Sequence, residues 1–202
     1  MLKVKLMNKI AKVGTDVLTA DKYEVSDAVA NEDARMVRSA SLHEMEFNPN
    51  LRAIARCGAG VNNIPVDKCT KAGIVVFNTP GANANAVKEL AIAALILASR
   101  DVIGGVKWVE TLAGETDVAK LVEKGKGAFV GHELAGKTLG VIGLGAIGGM
   151  VANAAVSLGM KVMGYDPYIT AKAAWSLAPS VQQASDYADI FKNCDYIYNS
   201  IN

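Results

Sequence analysis

The sequence predicts an α/β fold built on parallel sheets, and three observations carry that expectation. Short apolar runs of strand length alternate with helical patterns through the chain. One of them, over residues 139–142, leads straight into Gly143-Leu-Gly145-Ala-Ile-Gly148 and then into a proline-free helical pattern over 146–158. A further run, Lys161-Val-Met-Gly-Tyr165, ends on the acidic Asp166.

The elements follow in order. Residues 4–7, 34–38, 51–56 and 74–77 are apolar runs suited to buried parallel strands. Residues 65–71 read as a helix, with Pro65 near its first turn and Gly73 past its end. The first hundred residues are thus expected to form a small flavodoxin-like domain. Residues 83–112 form a long helical pattern rich in alanine and leucine, with a bend or stop expected at Gly104-Gly105 and with Asn83 as a plausible N-cap. The apolar residues over 90–103 read as core. Residues 113–117 read as a turn and cap before a second helix over 118–124, and the glycine-rich stretch 125–136 as a linker. A βαβ unit over 138–166, a helix over 184–193 and a strand over 195–199 complete the chain. Only three strands follow the linker, so the expectation there is the first half of a Rossmann dinucleotide-binding domain. The two domains are expected at 1–97 and 98–202.

Composition narrows the function. The chain has 202 residues, 51% of them hydrophobic, with 21 basic and 20 acidic side chains and no basic cluster. Nucleic-acid and membrane-surface binding therefore lack electrostatic support. The longest apolar stretch, 90–98, is too short to span a bilayer, and the N-terminus lacks a signal-peptide core, so a cytosolic protein is expected. Cys57, Cys69 and Cys194 have neither disulfide nor zinc spacing, and no metal site is expected. His43 reads as a surface residue of a short helix and His132 as a linker residue. No nucleophile-elbow, zinc-protease or P-loop pattern is present.

In the G-x-G-x-x-G stretch each glycine has a physical role. Gly143 permits the tight turn, Gly145 the close approach of a pyrophosphate, and Gly148 the packing of helix on sheet. The diphosphate would rest on free N–H groups at the positive end of the helix dipole. Asp166 would accept from the adenosine ribose hydroxyls and repel a 2′-phosphate, which favours NAD over NADP. A second constellation, Arg56-Cys-Gly58-Ala-Gly60-Val-Asn62-Asn63-Ile-Pro65, lies at the carboxyl end of an expected strand. Its N–H groups and Arg56 suit a carboxylate, and a plain glycine turn between strand and helix is an equal alternative. Asn78-Thr-Pro80-Gly-Ala-Asn83 should reach the same sheet end. Lys88 and Glu89, on the following helix, read as a solvated face.

Taken together, the Arg56 block, residues 76–90, the glycine stretch 136–148 and Gly164-Tyr-Asp-Pro-Tyr168 resemble the D-2-hydroxyacid dehydrogenases over essentially the whole chain. That resemblance implies NAD-dependent hydride transfer on a small 2-hydroxy acid, with a phosphorylated one expected and glycerate or lactate as alternatives. It implies that Arg56, Cys57, Gly58, Ala59, Gly60 and Val61, with Asn78, form the substrate loop, and that Thr79 contacts the nicotinamide half of NAD. Gly143, Gly145, Ala146, Ile147 and Gly148 would hold the pyrophosphate, and Asp166, Pro167 and Tyr168 the adenosine side. A homodimer through the long helix, using Val102, Ile103, Val106, Trp108 and Leu112, is also implied. The family's catalytic arginine, glutamate and histidine are expected later than Tyr198-Asn-Ser-Ile-Asn202, so no residue here is assigned a catalytic role. The chain is expected to be an inactive N-terminal piece, the different-class alternative being a non-catalytic nucleotide-binding or dimerisation module.

Overall fold

The computed structural model describes residues 1–201, which form two compact units divided between Asn83 and Ala84. In the first, β1 (Leu2–Leu6), α1 (Lys12–Thr15), β2 (Tyr23–Ser26), β3 (Ala34–Val37), β4 (Ala53–Arg56), α2 (Val66–Lys71) and β5 (Val75–Phe77) follow one another. All five strands are parallel, in the order β2-β1-β3-β4-β5. That is the flavodoxin-like order, with its switch point between β1 and β3. Val37, Leu42, Leu51, Ile54, Ile64, Cys69 and Ile74 make the core. At its margin the buried Glu32 accepts a 2.6 Å charge-assisted hydrogen bond from Arg35, which also donates to the Glu46 carbonyl and stands over the Phe47 ring. Burial pushes the Glu32 carboxyl up, but its backbone hydrogen bond and Arg35 outweigh this and hold it below its ordinary value.

The second unit begins with α3 (Ala84–Ser99), α4 (Val102–Glu110), α5 (Val118–Gly125) and a 3-10 turn, Lys126–Phe129. It continues through β6 (Thr138–Ile142), α6 (Ala146–Ser157), β7 (Lys161–Tyr165), α7 (Ala171–Trp175), β8 (Gln182–Gln183), α8 (Tyr187–Asn193) and β9 (Tyr196–Asn199). Its sheet is parallel, in the order β8-β7-β6-β9. β6 is central and apolar along its length because helices cover both faces. Leu139 and Val141 join Val151, Ala152 and Ala155 of α6 and Leu95 of α3 in one core, while Ile142 meets Ile190 of α8 on the other side. Each of the buried leucine, isoleucine and valine side chains contributes about 1.5–3 kcal/mol by leaving water.

Several expectations are corrected. β2, α1 and α7 were not anticipated, nor was β8, so the second sheet has four strands where three were expected. The division between units falls at Asn83 and Ala84 instead of at 97/98, because α3 buries Leu95 in the core of the second sheet. The long helix breaks at Arg100-Asp101 and not at Gly104-Gly105. The Asp101 carboxylate caps α4 by accepting from the Gly104 N–H at 2.8 Å, and both glycines lie inside α4. Leu90, Ile96, Leu97 and Ile103 are exposed instead of core. The expected linker is packed structure. Phe129 stacks on Trp108 at 5.2 Å between centroids, a Cβ on Gly125 would enter the Trp108 ring, and the His132 N–H donates to the Ser99 carbonyl. Asp117 precedes α5 without capping it and pairs with Lys120 instead. His43 sits in a turn, not a helix.

Gly140, in the middle of β6, leaves room for α8: a Cβ there would run into Ile190 and stand 3.0 Å from the Cys194 sulfur. Gly140→Ala is expected to destabilise the protein by about 1–3 kcal/mol through overpacking, measured as a lower midpoint in urea with an unchanged m-value.

Candidate functional site

In the second unit the parallel register pairs Ile142 with Tyr165, so the next residues, Gly143 and Asp166, stand together at the carboxyl ends of β6 and β7. Gly143 has φ +85°, a left-handed conformation that disfavours a side chain, and its N–H donates to the Tyr165 carbonyl at 2.8 Å. A Cβ on Gly143 would stand 3.2 Å from the Ser200 backbone, where the chain leaves β9. Gly145 is the N-cap of α6, offers no side-chain cap, and has open space where a Cβ would be. The first-turn N–H groups of Ala146, Ile147 and Gly148 therefore face a gap on the positive end of a twelve-residue helix. Gly148 is buried, and a Cβ there would collide with the Gly143 carbonyl oxygen. This turn lies at the switch point between β6 and β9, where open α/β sheets take ligands.

The half-buried Asp166 is fastened on both sides. One carboxylate oxygen accepts from the Leu144 N–H and the other from the Tyr168 N–H, each at 2.9 Å. It is thereby oriented, and lone pairs remain for a further donor. Pro167 and Tyr168 are exposed beside it, and a hollow of about 220 Å³, lined by Leu144, Asp166, Pro167, Ile169 and Leu177, opens there.

In the first unit the second constellation gathers at the ends of β4 and β5. The Cys57 N–H donates to the Val37 carbonyl and so extends the β3–β4 ladder. Beyond it the chain peels away. The Thr79 N–H donates to the Gly58 carbonyl at 2.9 Å, and the Asn78 side-chain amide donates to the Ala59 carbonyl at 2.8 Å. Among the described residues, nothing accepts from the Ala59 or Gly60 N–H. The Arg56 guanidinium lies against Gly58, where a Cβ would collide with it, and its Nε is buried with no partner among the described residues. Val61 closes the loop by accepting from the Ile64 N–H.

Two neighbours escaped sequence reasoning. Arg38 follows Val37, the register partner of Arg56, so an exposed arginine stands at the end of the adjacent strand. Asn8 accepts from the N–H groups of Arg38, Ser39 and Ala40 at 2.8, 3.1 and 3.1 Å, so the concavity at the first sheet's switch point is filled by the chain's own amide. The strand order that puts these residues side by side is the only signal for either. Of the two histidines, His43 donates through Nε2 to the carbonyl of Asn62, just past the Arg56–Val61 loop, at 2.8 Å, and the exposed His132 donates its N–H to the Ser99 carbonyl.

The profile of the family described as "D-isomer specific 2-hydroxyacid dehydrogenase, catalytic domain" matches residues 4–196. The chain belongs to this family. It is 34% identical over 198 residues to D-3-phosphoglycerate dehydrogenase of Methanocaldococcus jannaschii, covering 96% of this chain and 35% of that one. It is 38% identical over 183 residues to hydroxypyruvate reductase of Thermotoga maritima, covering 88% of this chain and 54% of that one. Among solved structures it matches NAD+-bound 3-phosphoglycerate dehydrogenase of Entamoeba histolytica with a TM-score of 0.71 and 26% identity, over 99% of this chain and 62% of that one. The chain thus spans about a third to a half of the length of these curated relatives.

For a D-2-hydroxyacid dehydrogenase the glycine turn is the stiffest requirement, since α6 can approach β6 only if residue 148 has no side chain. Gly148→Ala is expected to cost about 1–3 kcal/mol, a fall in Tm of roughly 2–10 °C for a chain of this size, read by calorimetry.

Proposed function

We propose that this chain carries the substrate loop and the NAD-binding turn of a D-3-phosphoglycerate dehydrogenase of L-serine biosynthesis, which converts 3-phosphoglycerate to 3-phosphohydroxypyruvate. The observation that carries this reading is the buried, unpartnered Nε of Arg56 on the loop whose Ala59 and Gly60 N–H groups are unclaimed among the described residues. 3-Phosphoglycerate has an anion at each end, and a guanidinium with a pair of N–H donors suits such a group. The recurrence of phosphoglycerate dehydrogenases among the relatives supports it.

The residues present also fit a nicotinamide dinucleotide. Ala146, Ile147 and Gly148 would receive the diphosphate through their N–H groups, with Gly145 leaving it room. Asp166, held by Leu144 and Tyr168, would accept from the adenosine ribose, and its charge selects NAD over NADP. Bound there, the cofactor would supply the electron-pair acceptor for oxidation at substrate C2. The proton of the C2 hydroxyl needs a base, and neither residues 56–61 nor the glycine turn 143–148 contains a histidine.

A homodimer in the cytosol completes the proposal. Ile103, Val106 and Val109 expose one side of α4, and Leu90, Ile96 and Leu97 are exposed on α3, which suits an interface between copies. Trp108 supports that surface from within by packing on Phe129. A second reading, a hydroxypyruvate reductase acting on an unphosphorylated acid, is favoured by the Thermotoga relative. Titration with 3-phosphoglycerate and with D-glycerate separates the two. The proposal expects Arg56→Ala to weaken the phosphorylated ligand more, and equal losses for both would favour the second.

Two outcomes test the cofactor assignment. Asp166→Ala is expected to weaken NAD binding by about 1–3 kcal/mol while NADP loses less or gains. Equal losses by calorimetry on folded protein would refute the ribose role. In a spectrophotometric assay the 202-residue chain is expected to form no NADH from 3-phosphoglycerate above background, while a version extended with the family's catalytic segment forms it. Robust turnover by the chain alone would place the base among these residues, with His132 the first to test.

A further inference from the structure

A trans peptide is planar, so the carbonyl of one residue and the N–H of the next point in opposite directions. The Gly58 carbonyl is taken by the Thr79 N–H and the Ala59 carbonyl by the Asn78 side-chain amide, at 2.9 and 2.8 Å. Both carbonyls therefore face the loop after β5, and the Ala59 and Gly60 N–H groups are turned to the other side, together and unclaimed among the described residues. A free glycine-rich loop samples many orientations of these two peptides. Two bonds from one neighbouring loop remove that freedom.

We propose that Asn78 is a positioning residue, which by holding the Ala59 carbonyl presents the Ala59 and Gly60 N–H pair to the substrate anion without touching the substrate itself. This inference rests on the reading of residues 56–61 as the substrate loop. The backbone bond from Thr79 cannot be lost by substituting a side chain, but the Asn78 bond can, so Asn78 is where the chemistry of the sequence controls the loop. Its amide is the group required: a carboxylate of the same shape would face the Ala59 carbonyl with negative charge and drive the peptide over. The unpartnered Nε of Arg56, buried on the same loop, is a second donor prepared for an acceptor that the loop itself does not provide.

The test uses the whole chain and four proteins: wild type, Asn78→Ala, Asn78→Asp and Arg56→Ala. Each is titrated with 3-phosphoglycerate by calorimetry and followed through its backbone amide spectrum. Losing one neutral hydrogen bond that orients two donors is expected to weaken binding roughly tenfold in Asn78→Ala, and at least as much in Asn78→Asp. NAD affinity and Tm should stay close to wild type, whereas a merely structural role would lower Tm and weaken both ligands alike. In the wild-type protein, 3-phosphoglycerate should shift the Ala59 and Gly60 amide resonances, and Asn78→Ala should displace these resonances before any ligand is added. If both Asn78 variants bind 3-phosphoglycerate within twofold of wild type while Arg56→Ala loses binding, the positioning role is wrong and the substrate loop stands. If Arg56→Ala binds as wild type, the substrate loop itself is wrong and the inference falls with it. Should a variant fail to fold, a wild-type titration that leaves the Ala59 and Gly60 resonances unmoved overturns the proposal without it.

Discussion

The close seating of α6 on the turn after β6 is the constraint on which the second unit depends. The helix starts only a few residues after the strand ends, so its first turn must lie on the chain that has just left the sheet. That is possible because Gly143 adopts φ +85° and because nothing projects from Gly148 toward the Gly143 carbonyl. With the helix so placed, Val151, Ala152 and Ala155 reach Leu139 and Val141, and α3 can close over α6 through Leu95. The same seating leaves the helix's first N–H groups uncapped and aimed at open space. Packing of the core and readiness for an anion thus share one cause.

The first unit solves a related problem by other means. It has no helix of comparable length at its strand ends, so donors must come from loops whose conformation is imposed by neighbouring loops. The peptides after Arg56 are oriented by the residues after β5, just as the N–H groups after β3 are occupied by Asn8. One cluster of donors is left free and the other is filled internally, and the difference lies in a single amide side chain. Unclaimed donors are thus left at the end of β4, while those after β3 at the switch point between β1 and β3 are occupied.

Polar groups in both units serve to hold backbone before they serve any ligand. Asp166 links the glycine turn to the loop after β7 through two N–H donors, and this makes its orientation independent of what it binds. Glu32 and Arg35 do the same for the margin of the first core. Exposed apolar residues on α3 and α4 contrast with this economy, since Leu90, Ile96, Ile103 and Val106 leave much of their surface in water.

The sequence by itself determined the fold class, the βαβ unit with its three glycines and Asp166, and the grouping of the Arg56 loop with Asn78 and Thr79, because each rests on local spacing that any parallel sheet must express. It also misled where a residue has two physical uses. Glycines over 125–136 read as flexibility, yet Gly125 and Gly131 are there because Trp108 and the Ser99 carbonyl come too close for a side chain. Gly104-Gly105 read as a helix stop, and the stop belongs to Asp101, whose carboxylate competes for the helix N–H groups three residues on. Only the tertiary structure decided that α3 belongs with the second sheet, that Arg38 ends the strand next to that of Arg56, and that Asn8 occupies the N–H groups after β3. Those facts depend on strand order and on which helix covers which face, and these are contacts between residues far apart in the chain that no local pattern encodes.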